Sequence, residues 1–356
     1  MARMTGAVLL VGSVPGETAT EAMRTSAEGV GDHLSCLPDG ETGYRRVFIS
    51  FLAATVYHGN PALETINRPK PIDGQENWAP QGFDDFWLFK VKDGVNTVQF
   101  DRLGYAEAAQ HSYQDFCTLR AAGVIPAGVR FQVSLPLTET ALRLFLTSAA
   151  DFARMAHAYE EAMGRELARL VTTIPPNELA IQWDIVAEVV IPAVGEDMFP
   201  WQPPGEPLDR YTRALQTLAA QVPEEVLMGC HLCYGDPGFG RFVAPADLSL
   251  AVRMANAAHK SVNRRIDFYH MPVPRHRDDE AYFAPLSDLA VGEARLYLGL
   301  VHDANGVEGG LRRLATARKY VAEVGIATEC GLGRRPKDSI PHLLRIHREV
   351  AETLGR

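Results

Sequence analysis

A histidine and a cysteine two residues apart, His231 and Cys233, end an apolar run in the second half of this 356-residue chain. In a β-strand, residues two apart point to the same side, so the imidazole and the thiol are predicted to converge. Cys330 ends another apolar run and precedes a glycine. One imidazole and two thiolates suit Zn2+, and three protein ligands leave one position open, as in catalytic zinc sites.

Each of these residues also has a simpler structural interpretation. Buried cysteines are common small apolar residues, and a lone histidine is usually a core residue. Cys230 precedes His231 by one residue, so we predict that it faces away and fills the core. The five cysteines, Cys36, Cys117, Cys230, Cys233 and Cys330, are too few for a disulfide framework in a chain of this length, and their clustering favours a metal.

Short apolar runs alternate with amphipathic segments, which is typical of repeated βα units. The runs predict eight strands, at residues 7–12, 34–38, 131–135, 179–185, 226–234, 266–271, 295–301 and 326–331. The helical spacing of apolar residues predicts a helix over 151–171. Eight strands with helices between them predict an α/β fold, a (β/α)8 TIM barrel, in which His231, Cys233 and Cys330 lie at the C-terminal face.

We predict a single domain over residues 1–356, with long loops at the C-terminal face of the barrel. An insertion at about 45–128 separates the second and third strands, and a loop at 189–208 follows the fourth. Long loops at this face of a barrel commonly cover the active site. The insertion carries four aromatic residues, Trp78, Phe83, Phe86 and Trp87, which either cover a site or pack the insertion onto the barrel.

The chain has 35 Lys and Arg against 44 Asp and Glu, a net charge of -9. This charge argues against nucleic acid and against an anionic membrane surface as partners. No apolar stretch approaches the ~20 residues of a membrane span, and the run at residues 7–11 lacks the features of a signal peptide. We therefore predict a cytoplasmic protein that acts on small molecules.

Five segments together resemble the cobalamin-independent methionine synthase family, in particular its catalytic C-terminal half and its stand-alone single-barrel members. The segments are Val11-Gly12-Ser13-Val14-Pro15, Asp39-Gly40-Glu41, Gln182-Trp183-Asp184, His231-Leu232-Cys233-Tyr234 and Cys330-Gly331-Leu332. They occur in family order over essentially the whole chain. The resemblance implies a (β/α)8 fold and a zinc ion that binds the acceptor thiol as thiolate, which then attacks an electrophilic carbon.

The resemblance also implies roles for individual residues. His231, Cys233 and Cys330 become zinc ligands. Ser13, Glu41 and Asp184 become the groups that hold the amino acid part of homocysteine, with the two carboxylates facing its ammonium group. Without the resemblance, the Asp39-Gly40-Glu41 segment could be only a turn, and Asp184 only a helix cap.

Two positions depart from the family pattern. The family has a glutamate as a further zinc ligand at the end of the sixth strand. Strand alternation places His270 there, so we expect His270 to be the replacement ligand. This site would carry less negative charge, which favours a more reactive donor or a different substrate. The family's Asp and His after the seventh strand are displaced here, and His302, with Asp303 beside it, is the best general acid available.

The sequence therefore predicts a zinc-dependent methyltransferase, similar to methionine synthase, which uses a small thiol such as homocysteine and an alkyl donor that the sequence does not identify. One alternative is a zinc-dependent lyase on the same barrel, in which the metal polarises a substrate oxygen, or another thiol-adding or demethylating enzyme on this barrel that acts on a non-folate substrate. Another is a non-catalytic zinc protein whose site is closed by His270.

Overall fold

The computed structural model describes residues 6–82, 84–195, 200–235 and 242–354. Its strands are β1 (Cys36–Pro38), β2 (Leu63–Asn67), β3 (Leu88–Val91), β4 (Arg130–Pro136), β5 (Leu179–Ile185), β6 (Leu227–Leu232), β7 (Phe268–Pro272), β8 (Arg295–Val301) and β9 (Gly325–Thr328). Seven of them form one parallel sheet in the order β1-β4-β5-β6-β7-β8-β9. The prediction of an α/β fold with parallel strands is confirmed.

The first predicted strand, at residues 7–12, is not a regular strand. This segment instead lies between the two edges of the sheet, where Val8 forms one parallel bridge to Leu34 and another to Ile326. The Leu9 amide donates to the Ile326 carbonyl at 2.9 Å, and the Val8 amide donates to the His33 carbonyl at 3.0 Å. The sheet is curled like a barrel. Because these contacts are isolated bridges, no regular eighth strand closes it within the described residues.

Helices connect the strands of the sheet and contact one another around it. They are α1 (Ala19–Val30), α2 (Ser50–Leu52), α3 (Tyr105–Ala121), α4 (Thr138–Leu142), α5 (Ala149–Thr173), α6 (Ala187–Val194), α7 (Pro207–Ala219), α8 (Ser249–Ser261), α9 (Glu280–Phe283), α10 (Gly306–Ala317) and α11 (Ile340–Ala351). The helix predicted over 151–171 is confirmed as α5. In the described part of the chain, no helix is long and apolar enough to cross a membrane.

Alternation along the strands divides the side chains between two cores. The outward residues pack under the helices, and Cys230 lies among them, as predicted. The inward residues form a smaller cluster that includes Leu9, Leu227 and Phe268. Strand positions further toward the C-terminal ends carry polar groups, so the same alternation that builds the inner core also aims these polar groups at the C-terminal face.

The insertion between β1 and β4 contains an antiparallel hairpin, β2 with β3, followed by α3. Trp87, just before β3, is 1% exposed, and its indole nitrogen donates to the Trp78 carbonyl at 2.8 Å. Phe86 instead lines the cavity at the C-terminal face. Within the insertion, Trp87 therefore packs in the core and Phe86 covers the cavity. Phe83 lies outside the described residues.

Candidate metal centre

His231, Cys233 and Cys330 come together at the C-terminal face, with their ligand atoms within 4.8 Å of one another. The Cys233 and Cys330 Sγ atoms are 3.8 Å apart, and Cys330 Sγ is 3.8 Å from His231 Nε2. His231 belongs to β6, and the Cys233 amide continues the pairing of this strand by donating to the Ile185 carbonyl at 2.8 Å. The predicted convergence of the H-x-C pair with the cysteine after β9 is therefore present.

Two of the three separations between these atoms fit zinc, and the third, between His231 and Cys233, is at most 4.8 Å. A tetrahedral zinc with Zn–S bonds of about 2.3 Å holds two sulfurs about 3.8 Å apart, and a sulfur and an imidazole nitrogen about 3.6 Å apart. The observed separations, 3.8 Å in both cases, match these values within 0.2 Å. Nitrogen and sulfur donors also exclude the hard cations Mg2+ and Ca2+, which prefer oxygen. The three residues can hold a zinc ion and leave one position open.

His270 is not among these converging ligand atoms. It pairs with His231 in the register of β7 with β6, and it is fully buried. Its Nδ1 lies 2.7 Å from His231 Nδ1, and its Nε2 lies 3.0 Å from the Thr328 carbonyl oxygen. Burial lowers the pKa of His270 well below its usual value, and the neighbouring His231 lowers it further. The structure thus places His270 behind His231, where both of its ring nitrogens have protein partners.

The pKa values of the two cysteines are shifted in opposite directions. A hydrogen bond with Cys233 lowers the pKa of Cys330 well below its usual value, and His231 and Arg334 lower it further against the effect of burial. The same hydrogen bond, together with burial, raises the pKa of Cys233. Arg334 Nη2 lies 3.5 Å from Cys330 Sγ. Even without metal, Cys330 is therefore the cysteine that favours the thiolate form, which is the form that binds metals.

The cavity beside the three ligands also contains Ser13, Glu41 and Asp184. Asp184 stands next to His231 in the register of β5 with β6, so both side chains point inward from adjacent strands. The structure thus brings together six of the seven residues for which the sequence predicted metal or amino acid binding, and His270 is the exception. Their location agrees with that prediction, and their binding roles stay predictions.

Ser13 holds the turn that carries Cys330. Its hydroxyl accepts a hydrogen bond from the Gly333 amide at 3.2 Å, and its carbonyl accepts one from the Leu332 amide at 2.6 Å. A Cβ atom at Gly331 would lie 2.5 Å from Ser13 Oγ, and one at Gly333 would lie 2.6 Å from Ser13 Cβ. Only glycine fits at these two positions, so the C-G-L-G segment is shaped to pack against Ser13.

Glu41 occupies a strained backbone conformation. Its φ is +50°, in the left-handed region that a residue with a side chain rarely adopts. The Asp39 carboxylate accepts from the Glu41 amide at 2.9 Å, and Arg45 in turn donates to that carboxylate at 2.6 Å. Burial alone would raise the pKa of Asp39, but Arg45 lowers it below its usual value. A buried ion pair therefore keeps Glu41 in a conformation that costs about 1–3 kcal/mol, as is common at functional sites.

The two cavity carboxyls are both raised in pKa. Burial raises the pKa of Glu41 to about 7, with Asp39 adding to the effect and Arg45 and Arg334 opposing it. Burial also raises the pKa of Asp184 well above its usual value, and Glu41 raises it further. Gln182 donates to Asp184 at 2.8 Å and orients its carboxyl. Because both carboxyls resist ionisation, a cation bound next to them would stabilise their ionised forms.

Most of the remaining cavity lining is apolar, apart from Ser50 and Arg334. Its wall consists of Val47, Phe48, Ile49, Phe86, Leu144, Val186 and Phe242. Phe86 comes from the insertion and Phe242 from the loop after β6, and their ring centroids are 6.2 Å apart. Apolar side chains of this kind exclude water from the space beside the sulfurs.

Two solved structures resemble this chain over nearly its whole length. One is a B12-independent methionine synthase from Shewanella sp. W3-18-1, with a TM-score of 0.60 and 15% identity over 95% of this chain and 87% of the other. The second is a candidate vitamin-B12 independent methionine synthase from Listeria monocytogenes, with a TM-score of 0.55 and 12% identity over 97% and 99% of the two chains. This chain has their fold. Neither a protein-family model nor a curated protein matches its sequence.

A second cavity, of about 560 Å3, adjoins the first and shares Gly331 and Arg334 with it. It lies at the ends of β7, β8 and β9, and it contains His302 and Asp303. The His302 Nε2 donates to the Val273 carbonyl at 2.8 Å, whereas the exposed Asp303 pairs with His342 at 3.4 Å. The predicted general acid, His302, therefore lines the adjoining cavity, and it is not among the described residues that line the cavity of His231, Cys233 and Cys330.

Sequence reasoning did not identify two residues that shape this site. Arg334 links the two cavities and lies against Cys330, but an arginine after a glycine turn has many possible directions. In the sequence, Gln182 stands out only as part of a motif. In the structure, its amide also donates to the Val11 carbonyl at 2.6 Å and thereby connects Asp184 to the segment that carries Ser13. A polar residue at an inward position of a buried strand was the available signal for Gln182.

Proposed function

We propose that this protein is a zinc-dependent enzyme that transfers an alkyl group, most simply methyl, to a small thiol such as homocysteine. The observation that carries the proposal is the convergence of His231, Cys233 and Cys330 beside two carboxyls in one cavity with a largely apolar wall. A zinc ion held by these three residues would lower the pKa of an incoming thiol, so that the thiolate is present near neutral pH.

The protein's own residues would bind and orient the acceptor. Glu41 and Asp184 would face its ammonium group, because the charge of this group removes the cost of ionising two adjacent carboxyls. The amide groups near Ser13 would face its carboxylate. The Shewanella structure with the same fold is a complex with selenomethionine, an amino acid of the same size and charge as the methylated product. This supports an amino acid thiol as acceptor.

In the transfer itself, the thiol releases its proton to solvent, and its sulfur forms a bond to the alkyl carbon of the donor. The bond from that carbon to the donor's heteroatom breaks, its electron pair stays on the heteroatom, and the heteroatom takes up a proton. We retain His302 as the candidate for delivering this proton from the adjoining cavity. Val47, Phe48 and Phe86 would exclude water from the reacting atoms.

The first test of this proposal is metal content. We expect about one zinc per chain after expression with excess zinc, measured by elemental analysis. A Cys233→Ser variant should lose most of this zinc, because it removes one of the three converging ligands. Cys117→Ser, in α3, is the matched control and should keep it. A wild-type protein without zinc, or a Cys233→Ser variant that retains it fully, would contradict the proposal.

The second test distinguishes thiol transfer from lyase chemistry. Co2+ in place of zinc gives a visible spectrum that responds to new sulfur ligands. We expect homocysteine to change this spectrum in the wild-type protein and to do so more weakly in Glu41→Gln. A spectrum that stays unchanged with homocysteine and with simpler thiols would argue that the metal polarises a substrate oxygen instead.

A further inference from the structure

The two histidines beside the metal ligands form a chain of hydrogen bonds whose directions can be deduced. His270 Nε2 lies 3.0 Å from the Thr328 carbonyl oxygen, which can only accept. The proton of a neutral His270 must therefore be on Nε2, which leaves its Nδ1 as an acceptor. Because His231 Nδ1 lies 2.7 Å from that atom, His231 must donate through Nδ1.

The same assignment follows from the metal side. His231 Nε2 is the nitrogen that faces Cys330 Sγ, at 3.8 Å, and a metal ligand must present a lone pair. A neutral imidazole with a lone pair on Nε2 carries its proton on Nδ1. Both lines of reasoning give the same arrangement. His231 donates through Nδ1 to His270 Nδ1, and His270 donates through Nε2 to the Thr328 carbonyl.

The chain ends on the element that carries the third ligand. Thr328 is the last residue of β9, and its hydroxyl donates to the Cys330 carbonyl at 2.7 Å. His270, on β7, therefore connects His231 on β6 with the turn that holds Cys330. Both histidines are buried, because His270 is 0% exposed and His231 is 3% exposed. Water therefore does not compete for these hydrogen bonds.

We infer that His270 is a positioning residue, which fixes the Nδ1-protonated tautomer and the orientation of His231 and thereby strengthens metal binding without contacting the metal. This role rests on the proposed metal centre and goes beyond it. Partners that orient ligand histidines typically change metal affinity about 10–100-fold when they are removed.

Two substitutions separate this role from direct ligation. His270→Phe keeps the volume of the ring and removes both polar atoms. His270→Gln keeps one acceptor and one donor, so its amide can restore the chain. We expect the dissociation constant for zinc, measured by competition with a coloured chelator, to rise about 10–100-fold in His270→Phe and only a few-fold in His270→Gln. His347→Phe, at another fully buried histidine in α11, is the control and should leave zinc affinity unchanged.

X-ray absorption at the zinc edge provides the second readout. We expect two sulfurs and one imidazole in the wild-type protein and the same set in His270→Phe at saturating zinc. Two imidazoles in the wild type, with one lost in His270→Phe, would overturn the inference in favour of ligation by His270. Equal zinc affinity in all three proteins would overturn it as well.

A third readout needs no variant at position 270. In 15N-labelled wild-type protein with zinc, nuclear magnetic resonance should show His231 protonated at Nδ1 and His270 at Nε2, and the opposite tautomers would overturn the inference. Wild-type protein that binds no zinc would instead refute the proposed function, so the two failures are distinguishable.

Discussion

Glu41 combines an unfavourable backbone conformation with an unfavourable charge. Its φ of +50° and its raised pKa both oppose folding, yet its side chain lines the cavity that also contains His231, Cys233 and Cys330. Strain of this kind persists when the surrounding structure enforces it, here through the Asp39–Arg45 ion pair. We expect substitutions at this position to raise stability while they lower function.

Replacing the charge should give a pH-dependent effect on stability. Because the pKa of Glu41 is raised from 4.5 to about 7, the folded protein holds this proton over a range in which the unfolded chain has lost it. The contribution of Glu41 is therefore most favourable below pH 4.5 and falls as pH rises toward 7. Metal-free Glu41→Gln should be more stable than wild type at pH 8, on the order of 2 kcal/mol, with a smaller difference at pH 5. Urea unfolding with a chelator present measures both, and the exposed Glu323→Gln should show neither effect.

The backbone contribution can be measured separately. Glu41→Gly and Glu41→Ala both remove the carboxyl, but only glycine adopts a positive φ without steric cost. We expect Glu41→Gly to be more stable than Glu41→Ala by about 1–2 kcal/mol in urea unfolding. Equal stability of the two variants would mean that position 41 is not held in the left-handed region in solution.

At the scale of elements, the turn after β9 determines where Cys330 lies. Adding one carbon at Gly331 places it 2.5 Å from Ser13 Oγ, so the turn or the Ser13 segment must move. We expect Gly331→Ala to lower stability by about 1–3 kcal/mol and to weaken zinc binding. Gly128→Ala is the control, because a Cβ there meets nothing within 4 Å. Zinc affinity that is unchanged in Gly331→Ala would show that the turn adapts without displacing Cys330.

The strands of the sheet and the position of the ligands could be predicted because both follow from alternation. The predicted segments 179–185 and 295–301 coincide with β5 and β8, and the H-x-C pair lies at the end of β6. The segment at 7–12 is apolar enough for a strand. Whether its backbone pairs regularly with the two edges of the sheet depends on tertiary contacts. The hairpin β2 with β3 also escaped prediction, because short strands inside a long insertion give a weak period.

The role of His270 could not be settled from alternation either. Alternation places it inward, which is correct, since its neighbours in register, His231 and Tyr297, are also inward. A ring that points inward can nevertheless approach a metal or the side chain of an adjacent strand. Which of the two it approaches depends on shifts of about 1 Å in the relative positions of adjacent strands, and a single sequence does not encode such shifts.

For the whole molecule, metal binding should stabilise a fold that exists without it. The two hydrophobic cores lie beneath and inside the sheet, and they do not depend on the three ligands. We expect a chelator to lower the unfolding temperature while the far-ultraviolet circular dichroism spectrum stays native. At free zinc 100 times its dissociation constant, the stabilisation amounts to about 2.7 kcal/mol. Cys233→Ser should not respond to zinc, and a wild-type protein that unfolds on chelation would contradict this expectation.

The organisation as a single domain stays a prediction.

The hydrogen bond between Ser13 and Gly333 joins residues 320 positions apart, and Cys233 and Cys330 are separated by 97 positions. These separations set an order of events during synthesis on the ribosome. A nascent chain that has been translated only through β8 contains His231, Cys233, Glu41 and Asp184, but it has neither the third ligand nor the turn that Ser13 holds. The proposed metal site can therefore be complete only after residues 330–333 have been made, and a chain translated only through β8 has no complete site that could capture zinc or react with a thiol.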